Sequence, residues 1–259
     1  MPITQSVGPG QPNVGADVRI LQRLLNGQAS APGLVEDGLY GSNTWAALVA
    51  TRPDGDDAAP VTPGGEDIAR LIAGLPDGLG YARLGCVFAE AASDRLARFH
   101  PALVAAMDDA GIDTPGRRAH FLAQVAHESG GLRWLAELAS GQAYEGRADL
   151  GNDQPGDGPR FKGRGLIQLT GRANYTAFEQ AVGRDLTSST EAAAQVAQDA
   201  DLCVRAATWF WSERGLNDLA DADELEAVTK RINGGLNGLA DRAKYLARAK
   251  AILPAPVAA

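Results

Sequence analysis

From residue 67 onward, apolar side chains recur at spacings of three and four, and each such stretch runs into a Gly-rich break. That spacing lines up one face of a helix, and the breaks end each helix after a few turns. Leu96, Phe99, Leu103 and Met107 make one stripe, around Pro101, and Val18, Leu21, Leu24 and Leu25 make another near the N-terminus. Ala is abundant and aromatic residues are only 6% of the chain, which favours helix over sheet because Ala is the strongest helix former. The expected fold class is all-α.

Three sections separate along the 259 residues: 1–51, 52–66 and 67–259. The middle one, inside TRPDGDDAAPVTPGGE, is rich in Pro, Gly, Ala and Asp, has little to bury and reads as a linker. In the first section Asp17 can cap the Val18–Leu25 helix. Asp37-Gly38-Leu39-Tyr40-Gly41 reads as a turn, and Ser42 or Asn43 can cap a second helix. A section of this size is near the lower limit for folding alone.

Composition excludes several classes. The net charge is −8, the wrong sign for a nucleic-acid binder. Cys86 and Cys203 are too few for a disulfide framework and read as two buried apolar residues, although a bridge is not excluded by sequence. With three His and no Cys/His cluster, neither a metal nor another cofactor is expected. No stretch is apolar enough to span a membrane, and the first residues carry no basic, apolar leader. A monomer made in the cytoplasm is the expectation.

The chemistry concentrates in two places. Residues 117–129 read RRAHFLAQVAHES, with Thr114 as N-cap, Pro115 at the first helical position and Gly130-Gly131 as the stop. Glu128 falls on the face of Phe121 and Val125, with Gln124 one turn earlier. A carboxylate on an apolar face is costly unless it is protonated or paired, and a protonated one suits a general acid; an exposed Glu at a frayed helix end is the plain alternative. His127 points about 100° away from Glu128 and reads as structural. The second place is a long, polar, Gly-rich loop over 140–175, holding Glu145 beside Tyr144, with Asp149, Asp153 and Asp157 as competing carboxylates.

The pieces VRILQRLLN at 18–26 and DGLYGSNTWAAL at 37–48 resemble the peptidoglycan-binding domain carried by many wall hydrolases. The resemblance implies a small three-helix unit contacting glycan or stem peptide around Asp37, Gly38, Tyr40, Gly41 and Thr44. Further on, FLAQVAHESGG at 121–131, YEGRADLGN at 144–152, FKGRGLIQLTGRANY at 161–175, WFW at 209–211, RINGG at 231–235 and DRAKYL at 241–246 resemble, in order and spacing, glycoside hydrolase family 19. That family comprises chitinases and their phage and bacterial lysin relatives, and the lysin branch fits best.

This second resemblance implies a lysozyme-like helical catalytic domain and hydrolysis with inversion by two carboxylates, held about 6.5–9.5 Å apart to admit a water. By position, Glu128 matches the general acid, Glu145 the general base, and Thr170 a hydroxyl that helps hold the water. Gln168, Tyr175, Asn233, Arg242, Tyr144 and Arg164 match residues that bind substrate or orient the carboxylates. Arg164 and Arg242 could equally be fold salt bridges, and Trp209 and Trp211 fit a core better than a sugar platform. The chain lacks the several Cys and extra loops of plant-type chitinases, which leaves its sugar preference open. The implied activity is an endolysin-type muramidase acting on peptidoglycan glycan strands, released by a holin or exported, with chitinase and lytic transglycosylase as alternatives.

Overall fold

The computed structural model describes residues 1–53 and 59–253, and among these it is helical, with only isolated β-bridges besides. The chain opens with α1 (Gly15–Asn26) and α2 (Ser42–Val49). α1 buries Val18, Ile20, Leu21, Leu24 and Leu25, the stripe legible in the sequence. It starts earlier than Asp17, with Val14 at the cap position. The Asp17 carboxylate, fully buried, instead accepts bonds from the Thr4 and Gln5 amides, both at 2.9 Å, and from the Thr4 hydroxyl at 2.8 Å. It anchors the segment before α1 rather than capping the helix. Likewise Gly41, not Ser42 or Asn43, holds the cap position of α2.

Of the stretch read as a linker, 54–58 lie outside the described residues. Val61 in its second half is buried and pairs with Val7, exchanging N–H···O bonds of 2.9 and 2.8 Å. α3 (Glu66–Ala73) follows and packs back on α1, where the Gln28 amide donates to the Leu24 and Leu71 carbonyls, both at 2.8 Å. A third helix on the N-terminal pair therefore starts at the last residue of that stretch.

The larger body begins with α4 (Tyr81–Val87), α5 (Ser93–Asp109) and α6 (Pro115–Glu128). α6 starts and stops as its sequence dictates. The Thr114 hydroxyl accepts from the Arg117 amide at 3.2 Å, Pro115 occupies the first turn, and Gly130 and Gly131 adopt φ of 57° and 69°. Every residue from Ala119 to Ala126 is buried, so α6 is the central helix of the body. Beyond a Gly-rich segment come α7 (Asp157–Arg160), α8 (Arg172–Val182), α9 (Thr190–Gln198) and α10 (Ala200–Glu213). The chain then forms α11 (Leu216–Asp221), α12 (Leu225–Asn233) and α13 (Leu239–Ile252). α13 lies along α6 in the most extensive helix contact of the molecule.

One apolar core runs from Ile3 to Leu253 and takes in α1, α4, α5, α6 and α13. A second, smaller core of Phe161, Leu169, Tyr175, Phe178, Leu186, Val196 and Leu202 sits beneath the Gly-rich segment. Trp211 is buried edge-on against Phe121 at 5.5 Å, and Trp209 packs on Phe178 at 5.6 Å, so both tryptophans serve packing. Cys86 and Cys203 are unpaired and buried, and burial pushes both thiols up to about 12. They behave as inert apolar side chains.

Candidate active site

Glu128 is the last residue of α6, and its side chain keeps 20% of its surface exposed. Its Oε1 accepts from Nη2 of Arg242 on α13 at 2.5 Å. Arg242 is 1% exposed and held on its other sides: Nη1 donates to Gln124 Oε1 and Nε to the Asn237 carbonyl at 3.3 Å. Gln124 in turn donates to Thr229 Oγ1 on α12 at 3.3 Å. A carboxylate on this face is costly unless it is protonated or paired, and here it is paired. His127 faces away, with Nδ1 on Asp241 Oδ2 at 2.8 Å and its ring against Gly238. Gly238 caps α13 and Asp241 lies in its first turn, so His127 ties the end of α6 to the start of α13, which fits a structural role.

Glu145 is held by a different kind of partner. It follows the 3-10 turn Gln142–Tyr144, and its two oxygens accept from the backbone amides of Gly156 at 2.6 Å and Gly158 at 2.8 Å. Gly158 is needed for close approach: a Cβ there would fall 2.6 Å from the Glu145 amide nitrogen and 2.7 Å from the Gly141 carbonyl. The competing acids are otherwise engaged. Asp157 is fully buried and paired with Arg172, whose hydrogen bonds hold its carboxyl below the usual range. Asp149 pairs with Arg147 on the surface. Tyr144 donates to Glu137 Oε1 at 3.2 Å, and burial together with that carboxylate raises its hydroxyl above the ordinary value.

A short ribbon joins the segment that follows Glu128 to the segment that follows α7. Arg164 bridges Ala136 on one side and Leu169 on the other, and Glu137 and Gly163 join through a 2.9 Å backbone bond. The ribbon presents Gln168 and Thr170, whose side chains converge over Gly163; a Cβ at that glycine would lie 2.9 Å from Gln168 Oε1 and 3.4 Å from Thr170 Oγ1. Thr170 donates to the Gln168 carbonyl at 2.8 Å. Gln168 has φ of 57°, a conformation that a side-chain-bearing residue adopts at a cost and that often marks a functional position.

Two residues grouped with substrate contacts occupy other places. Tyr175 is fully buried in the second core, its phenol accepting from Arg164 Nη1 at 3.1 Å and donating to the Lys162 carbonyl at 3.2 Å. Burial pushes that phenol up to about 12. Arg164 is 5% exposed and also bonds the Arg160 carbonyl at 2.7 Å. Both side chains are buried, and their bonds to the Arg160 and Lys162 carbonyls tie them to the chain entering the ribbon. Asn233 is exposed at the end of α12, which leads into the turn that Arg242 Nε reaches.

Two further side chains belong here that the sequence reading passed over. Trp134, 42% exposed, stands just past the α6 stop, its ring against Gly130, its face under Arg133 at 4.5 Å, and its carbonyl 3.4 Å from Gln168 Nε2. A Trp set three residues past the Gly130-Gly131 stop is the signal that could have found it. Glu137, tied to Tyr144, has no such signal; only the fold brings it there. Among the described residues no group of three His, Cys, Asp or Glu is arranged to hold a metal, and no helix is long and apolar enough to cross a membrane.

The N-terminal unit carries its own groove of about 220 Å³ lined by Gln22, Asp37, Leu39, Gly41 and Thr44. Gln22 donates to Asp37 Oδ1 at 2.8 Å, a bond that lowers the Asp37 carboxyl from its ordinary value, and to Thr44 Oγ1 at 3.4 Å. Gly38, with φ of 76°, presses on the Gly15 carbonyl and donates its amide to Gln22 Oε1 at 2.9 Å. Tyr40 is half-buried beside this turn and contributes to the core, and Leu39 stays 71% exposed.

Residues 90–221 match the family model described as chitinase class I. A glycosyl hydrolase family 19 domain-containing protein of Haemophilus influenzae is 35% identical over 176 residues, 56% of this chain and 84% of that protein. The acidic 27 kDa endochitinase of Solanum lycopersicum is 39% identical over 105 residues, but the match spans only 39% of each chain. Among solved structures, chitinase C from Streptomyces griseus superposes with a TM-score of 0.57 at 22% identity, over 79% of this chain and 84% of that one, which shows a shared fold. A bacterial family 19 chitinase superposes with a TM-score of 0.55, also at 22% identity, over 70% of this chain and 97% of that one. The family match across 90–221 and the 35% identity to a bacterial relative covered over 84% of its length establish that the chain belongs to glycoside hydrolase family 19.

Proposed function

We propose that this glycosidase is an endolysin-type muramidase that hydrolyses the β-1,4 bond between N-acetylmuramic acid and N-acetylglucosamine in bacterial peptidoglycan. The observation that carries the reading is the contrast in how the two candidate carboxylates are held. Arg242 engages Glu128 through Oε1 alone, which leaves Oε2 for the proton that a general acid delivers to the glycosidic oxygen. Glu145 is gripped by backbone amides that orient it without a side-chain cation, as suits a base that takes a proton from water. Thr170, presented on the ribbon, would hold that water. Water attacks C1 from the face opposite the leaving oxygen, the C1–O bond breaks, and the new reducing end carries the inverted configuration.

Peptidoglycan is favoured over chitin by the N-terminal unit, read as a wall-binding module (residues 1–51) on a catalytic domain (residues 67–259). Its groove at Asp37, Gly38, Tyr40, Gly41 and Thr44 would hold the enzyme on a polymer and raise its local concentration. Action on the periplasmic wall after holin release or export follows from the same reading. A chitinase is the second reading, favoured by the endochitinase relatives.

Mass spectrometry of soluble products from purified Gram-negative peptidoglycan tests the choice, with wild type beside Glu128→Gln. Fragments with a reducible muramic acid end, absent from the variant, are expected. Anhydro-muramic ends would instead identify a transglycosylase. Release from chitin with none from peptidoglycan would establish the chitinase.

A further inference from the structure

The N-terminal unit meets the larger body through a side chain that a loosely tethered anchor would not need. Arg23 of α1 is 0% exposed. Its Nη1 donates to the carbonyls of Gly85 at 2.6 Å and Phe88 at 3.0 Å, and its Nη2 to that of Ala91 at 2.6 Å. Its Nε pairs with Glu36 at 2.9 Å, and Glu36 also accepts from the Ser93 hydroxyl at 2.9 Å and the Tyr81 hydroxyl at 3.2 Å. Arg19, one turn earlier, reaches the Ala89 carbonyl at 3.0 Å. Four carbonyls in the last turn of α4 and the loop after it, those of Gly85, Phe88, Ala89 and Ala91, are thus satisfied by guanidinium groups from α1. Carbonyls at a helix end otherwise lack partners, so α1 supplies the cap that α4 does not supply itself.

The far side of that loop touches the active site. Gly131, just past the α6 stop, lies against it: a Cβ there would sit 3.6 Å from Glu90 Cβ and 3.8 Å from the Ala91 amide. Glu90 accepts from Arg248 Nη1 at 2.9 Å, Lys244 Nζ at 3.3 Å and the Tyr245 hydroxyl at 3.5 Å, all on α13. Arg242, Tyr245 and Arg248 recur every three residues and so share one stripe of α13. One end of the stripe holds Glu128 and the other is held by Glu90. The α4 helix adds a further tie, Arg83 Nη1 to the Ile252 carbonyl at 2.7 Å.

We propose that the N-terminal unit is part of the active-site scaffold, with Arg23 and Glu90 as positioning residues that set α13, and with it the Arg242 guanidinium, against Glu128. The inference rests on the reading of Glu128 as the acid. A unit that only anchored the enzyme to a polymer would matter on polymer alone. A scaffold matters equally on a short soluble substrate, because a displacement of about 1 Å in a reacting group can cost about a hundred-fold in rate.

The test uses the full-length chain as wild type, Arg23→Lys and Glu90→Gln, with the N-acetylglucosamine hexamer and purified peptidoglycan as substrates. Hydrogen exchange at the amides of residues 126–131 is followed in parallel. Both variants should keep the wild-type far-UV spectrum, lose about ten-fold in kcat on both substrates with KM changed by less than about two-fold, and exchange faster at 126–131. Folded variants with wild-type kcat on the hexamer and unchanged exchange would overturn the proposal. If Arg23→Lys does not fold, Glu90→Gln decides, since it keeps the side-chain size and removes only the charge. A wild type inactive on both substrates would overturn the proposed function instead, and exchange at 126–131 would still decide the coupling.

Discussion

The two candidate carboxylates are held by opposite means. Glu128 ends a helix buried on all sides, and its partner Arg242 comes from a helix that the chain reaches 114 residues later. Glu145 sits in a Gly-rich segment, and its partners are backbone amides 11 and 13 residues away. The first position is fixed by tertiary packing and is coupled to global stability. The second is fixed by local chain geometry and can open without unfolding the body. On the proposed assignment, the acid is the rigidly held group and the base the one on the more easily opened loop.

Substitutions can break this contrast in order of decreasing effect. Glu128→Gln should lower kcat about a thousand-fold with little change in KM, measured by release of soluble fragments from peptidoglycan. Glu145→Gln should cost about a hundred-fold, because it removes the base and also one of the two acceptors for the Gly156 and Gly158 amides; proteolysis within 150–158 should quicken as well. Arg242→Ala leaves Gln124 and Glu128 without their shared partner, and should lower stability by about 3 kcal/mol, several degrees in Tm, together with activity. Gly158→Ala should cut activity about ten-fold while Tm shifts by less than about 2 °C, because the clash stays within the loop. Equal losses of Tm in Arg242→Ala and Gly158→Ala would erase the distinction.

The smallest effect is a pH dependence. Burial raises the Glu90 carboxyl, but the Arg248 and Lys244 charges outweigh it, so its folded value lies below the ordinary one. Such a group stabilises the fold above its unfolded value, about 4.3, and that contribution is lost as pH falls through the folded value. Thermal melts of wild type and Glu90→Gln should therefore differ by a constant amount near neutrality and converge below about pH 4. A difference that grows with falling pH would contradict the ion pair.

Helices were the legible part of the sequence, and α6 most of all: Thr114, Pro115 and the Gly130-Gly131 pair mark both its ends, and the structure uses each as marked. The Val18–Leu25 stripe was equally plain. What failed was local chemistry redirected by distant partners. Asp17 looked like a cap and became an anchor for Thr4 and Gln5, because the segment before α1 folds back over it. The stretch around Val61 looked too polar to bury, yet Val61 pairs with Val7 from the other end of the unit. The burial of Tyr175 and Arg164 was not legible either, since nothing in their motif separates the residues that face the second core from those that face solvent. Arg23 carried no signal at all, since a buried Arg is specified by the carbonyl of a helix residue 62 positions away rather than by its neighbours.

The central claim, inversion by Glu128 and Glu145, is tested most directly by the anomer first formed. Proton NMR spectra of a soluble peptidoglycan fragment, recorded within minutes of adding enzyme and before mutarotation, report the configuration of the new reducing end. The account expects the α-anomer first, relaxing later to the equilibrium mixture. A β-anomer formed first would mean retention, and a different role for Glu145.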